Sequence, residues 1–74
     1  MEGISQRKFI ALIHKAYPEV VERPIVTGEQ VELLMTVIMA IDRNPGLVQM
    51  PSVRHNLGPQ KLAWVDKLAE KAKE

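Results

Sequence analysis

Ser52 and His55 stand three residues apart, a spacing at which a hydroxyl and an imidazole can meet on one turn of helix. Such a pair is the start of a nucleophile and its general base. Acyl transfer also needs a third group to orient the imidazole and donors for the oxyanion, and neither is evident around Pro51-Ser52-Val53-Arg54-His55. Directly after Pro51, Ser52 reads better as a helix cap. Metal chemistry has less to work with. His14 and His55 fall in different segments, with no cysteine and no carboxylate at ligand spacing, short of the ligand sets that zinc takes. His14, beside Ile13 on the flank of the first helix, reads as a half-exposed surface residue. There is no Gly-x-x-x-x-Gly-Lys loop to cradle phosphate, and Asn44-Pro45-Gly46 is turn chemistry. The expectation is a protein that is not an enzyme, with neither cofactor nor metal.

What remains is contact chemistry, in two candidate sets. Residues 43–65 hold no acidic side chain, and Arg43, Arg54, His55, Asn56, Gln60 and Lys61 are types that meet phosphates and base edges. Against a nucleic-acid role stand a net charge of +1 and the small number of cations in the segment. Asn44 to Pro51 is also longer than the turn of a helix-turn-helix. The plainer reading is a basic surface loop.

The second set is apolar. Between Val31 and Ile41 only Glu32 and Thr36 are polar. Leu33, Met35, Val37, Ile38 and Met39 are the candidate protein-binding residues, with Trp64 at their margin. Methionine adapts its shape to a partner but also fills gaps in cores, so Met35 and Met39 are open to both readings. Trp64 likewise suits an interface anchor or a lid on its own core. Covering Leu33, Met35, Val37 and Met39 would gain about 6–12 kcal/mol gross. Association costs of roughly 4–15 kcal/mol absorb much of that, which makes the patch an anchor and not a complete interface.

These residues need helices to hold them. Thr27-Gly28-Glu29-Gln30 is a capping box, and Asn44-Pro45 ends the segment it opens. Glu29, Glu32, Thr36 and Arg43 share one narrow polar sector of that helix. Ser5 caps a first helix whose stripe is Phe9, Leu12, Ile13, Ala16 and Tyr17, with Ile10 at its edge. The stretch 18–24 suits a short turn with proline at its first position, and Ile25 and Val26 suit a hydrophobic staple, Val26 against Val31. Residues 44–60 are the least regular, with a short helix at Ser52–Leu57 closed by a left-handed Gly58. Leu62, Val65, Leu68, Ala69 and Ala72 give the last helix its apolar arc, with Trp64 at its edge. No strand alternation or hairpin turn appears. The fold expected is all-α: three main helices, about 5–17, 28–43 and 59–73, plus one or two short helical turns.

The bulk composition agrees. Seventy-four residues suit a single domain, 1–74, and 46% apolar with 26% charged residues is a globular balance. No apolar run approaches the ~20 residues of a membrane span, and the first residues lack a secretory h-region. A cytoplasmic location is expected, and the absence of cysteine is compatible with it. A helix apolar nearly all round outstrips the cover that a chain of this length provides. The expected function is that of a small regulator, adaptor or inhibitor docking on a larger protein, or associating with itself. The alternatives are a DNA-binding transcriptional regulator using 43–65, or a homo-oligomeric assembly protein.

Overall fold

A computed structural model describes residues 4–22 and 27–73. The protein is all-α, and no strand occurs among the described residues. Helix α1 spans Gln6–Ala16, α2 Gly28–Arg43 and α3 Pro51–Lys73. A π-helical turn, Tyr17–Val21, follows α1, and a 3-10 turn, Pro45–Gln49, joins α2 to α3.

The ends of these helices follow from local chemistry. The Ser5 hydroxyl accepts from the Lys8 N–H at 3.2 Å and opens α1. Tyr17 N–H makes the last bond of α1, to the Ile13 carbonyl. Pro18 has no N–H to continue that ladder, and the chain widens into the π-helical turn with Pro18 as its second residue. The capping box of α2 forms as expected. Gln30 N–H donates to the Thr27 hydroxyl at 3.3 Å, and Thr27 N–H donates to the Gln30 side-chain oxygen at 2.7 Å. The staple expected from Ile25 and Val26 lies outside the described residues.

The stretch expected to be irregular, 44–60, is helical over most of its length. Pro45 starts the 3-10 turn, which places Leu47 and Val48 in the core. The short helix expected at Ser52–Leu57 forms as residues 51–57 and the last helix begins at Pro59 as expected, the two abutting in α3 at Gly58, where φ is 81° and ψ is 167°. The positive φ matches the sequence expectation, but ψ is extended and not left-handed helical. That conformation lets 51–57 end and 59–73 begin at once, with Pro59 as the first residue of the second half. Ser52 lies inside the helix and is not its cap. Its hydroxyl donates to Gln6 of α1 at 3.0 Å, so the pairing with His55 read from the spacing is replaced by a tie between helices.

One cluster forms the core. Phe9 and Ile13 enter it from α1, Val37, Ala40 and Ile41 from α2, and Leu47 and Val48 from the 3-10 turn. Val53, Leu57, Val65 and Leu68 complete it from both halves of α3. Each such aliphatic or aromatic side chain contributes about 1.5–3 kcal/mol on burial. Helices α1 and α3 both pack on α2, which leaves one of its faces uncovered.

Candidate functional site

That uncovered face carries the candidate site. Val31, Met35 and Met39 follow one another at intervals of four and so line up along one ridge of α2. They are 44%, 56% and 50% exposed. On the other side of the helix Val37 is 0% and Ile41 2% exposed. The two methionines therefore lie on the surface, and the ambiguity between core and surface closes at those positions. Glu32, Thr36, Asp42 and Arg43 flank the ridge, all exposed. The Thr36 hydroxyl donates to the Glu32 carbonyl at 2.9 Å, which satisfies it within the helix.

The other residues of the expected patch distribute differently. Val37 is a correction. It points between α1 and α3 and has no surface to offer a partner. At 100° per residue it sits about 200° from Met35, on the opposite side of the helix. Ile38 is half-buried against the core and borders the ridge, while Leu33, also half-buried, lies about 160° from Met35 beyond the polar sector, in the cleft beside Lys15 and Glu19. Trp64 is half-buried against the core and meets Tyr17 edge-on, ring centres 6.3 Å apart at 82°. Lys61 holds its ammonium 5.6 Å from the centre of the same Tyr17 ring. Trp64 and Lys61 thus belong to the seam where α3 meets the end of α1. Val31, which the sequence offers as one partner for a staple, joins the ridge.

Half of the basic set, Arg54, Asn56 and Lys61, has partners within the fold. Arg54 donates from Nη1 to the Val48 carbonyl at 2.7 Å and lies 3.6 Å from an Asp66 carboxylate oxygen. It ties the 3-10 turn to the second half of α3 across the Gly58 break. Arg54, a candidate for phosphate contact from sequence, is thus engaged within the fold. Asn56 donates to the Ser52 carbonyl one turn back at 2.7 Å. Arg43, His55 and Gln60 are exposed, with Arg43 at the end of α2 and the other two on either side of Gly58.

His14 is exposed. Among the described residues no group of three or more His, Asp or Glu side chains is placed to hold a metal ion. No helix among them is long and apolar enough to cross a membrane. Open clefts indent the surface of the described residues. One, of about 610 Å³, lies between the end of α2, the 3-10 turn and the last turns of α3, with Ile41, Val48 and Ala69 in its floor and Asp42 and Glu70 among its walls. Another, of about 670 Å³, lies between the end of α1 and the polar flank of α2, beside Lys15, Glu19, Glu29 and Glu32. Comparison of the chain with protein-family models, with curated proteins and with solved structures returned no match.

Proposed function

We propose that the chain is a small non-enzymatic binding protein, a regulator or adaptor that docks on another protein through the exposed ridge of α2. The observation that carries this reading is the exposure of Val31, Met35 and Met39 in one line, on a helix whose opposite side is buried. Single exposed apolar residues are ordinary, but three in register on a rigid helix are an anchor of the kind an apolar groove receives. Ile38 widens the contact at its border, and the charges beside the ridge set orientation more than affinity. Ser52 has its hydroxyl on Gln6, which supports a reading without nucleophilic catalysis.

The test compares the tagged chain with its Met39→Lys variant in capture from source-cell lysate, each with and without nuclease. The reading expects one protein retained by the native chain in both conditions and lost with Met39→Lys, while the helical circular dichroism of the variant is unchanged. Equal retention by the two chains overturns it. Retention that disappears only after nuclease transfers the function to the basic residues of 43–65.

A further inference from the structure

The ridge of α2 has a symmetry of its own. Met35 lies at its middle, Val31 one turn before and Met39 one turn after. Its charges are not symmetric. Glu29 and Glu32 lie toward the N-terminal end and Arg43 in the last turn. On a helical wheel Glu32 and Arg43 project within about 20° of each other, so the negative and the positive end share one flank. A helix with this pattern is complementary to itself in one orientation. Set antiparallel across a two-fold axis, like flank meets like flank. Arg43 of one copy then faces the Glu32 end of the same flank on the other. Set parallel, the charged flank of one copy lies across from the apolar flank of the other, at Leu34 and Ile38, and no such pair forms.

Resting on the reading of the ridge as the working surface, we infer that a second copy of this chain covers it, in an antiparallel two-fold dimer centred on Met35. Met35 packs on Met35 of the second copy, and Val31 packs on Met39 of the second copy. Asp42 comes to rest by the start of the other copy's α2, where the helix dipole favours a carboxylate. The contact is small. Three exposed apolar side chains a copy, with their neighbours, cover less than the roughly 800 Å² per partner of a standard interface. The dimer therefore dissociates on dilution, and a larger protein with a better groove competes for the same ridge.

The chain contains no cysteine, so an introduced thiol reports on one place only. With the purified Met35→Cys variant, mild oxidation is expected to give a disulfide-linked dimer at protein concentrations where His14→Cys, exposed on α1, stays monomeric. In sedimentation the native chain is expected to move from 8.4 kDa toward twice that mass as concentration rises. Met39→Lys raises the concentration for half-dimerisation by roughly tenfold or more, because an ammonium must be buried against Val31. Arg43→Glu raises it about threefold or more, and adding Glu32→Arg restores it. A native chain that stays monomeric to millimolar concentration, or oxidation of Met35→Cys and His14→Cys to the same extent, overturns the dimer. The docking reading has a separate readout. A monomeric chain that still loses its captured protein with Met39→Lys refutes the dimer alone.

Discussion

Gln30 reaches out of α2 and donates its side-chain N–H groups to Glu19, at 2.9 Å to the carboxylate and 3.0 Å to the backbone carbonyl. With its oxygen accepting from Thr27 N–H, one amide caps α2 and fastens the π-helical turn to it. It is 8% exposed, the one buried polar side chain among the described residues. Gln30→Ala leaves the Glu19 carbonyl and the Thr27 N–H without these partners, and is expected to cost about 1–3 kcal/mol in urea unfolding. Gln30→Glu keeps the acceptor for Thr27 but faces the Glu19 carboxylate with a second one. It is expected to destabilise at least as much as the alanine at neutral pH. Equal stability of all three chains would remove the amide from the account.

The two sides of α2 should respond oppositely to truncation. Val37→Ala removes two buried methyl groups, each worth about 0.8 kcal/mol, and leaves a cavity, for a loss of about 2 kcal/mol or more. Met39→Ala, on the exposed ridge, should change stability by no more than about 0.5 kcal/mol. Thermal unfolding of the two variants at one concentration, low enough to keep the chain monomeric, measures the contrast.

At Gly58 the backbone, not crowding, excludes other residues. A Cβ there would meet nothing within 4 Å, yet φ 81° with ψ 167° is a region that side chains oppose. Gly58→Ala is expected to cost about 1–3 kcal/mol despite the open space. A smaller loss would mean that the two halves of α3 can merge into a continuous helix.

Arg54 makes a bond whose loss differs from the loss of its ion pair. Asp66→Asn removes a half-exposed charge at 3.6 Å and should cost no more than about 1 kcal/mol, less as salt is added. Arg54→Ala also orphans the Val48 carbonyl and should cost about 1–3 kcal/mol, largely independent of salt. Unfolding of both variants across a salt series separates the two contributions.

The legible parts of the fold are those decided within a turn or two of chain. Ser5 and the Thr27–Gln30 box cap their helices over three residues, and the stripe Phe9, Ile13, Ala16 turned inward as its spacing indicates. Within 44–60 the helix at 52–57 and its closure at Gly58 were legible, but the 3-10 turn at Pro45–Gln49 was not, because Asn44-Pro45-Gly46 signals a break equally well in a loop and in a short helical turn. Pro51 serves there as a first residue of helix, and Gly58 as a one-residue joint. Arg54 looked like a free cation because its partners Val48 and Asp66 lie 6 and 12 positions away, on either side of the break it spans.

The sequence by itself determined that the chain is helical, where α2 begins and ends, and that its polar stripe faces solvent, since caps, proline and helical period act locally. Only the tertiary structure decided which apolar residues of α2 are left outside. On a helix greasy around most of its circumference, the wheel places Val37 opposite Met35 but cannot tell which of them is covered. That choice rests with α1 and α3, which pack against Val37, Ala40 and Ile41 and stop short of Val31, Met35 and Met39.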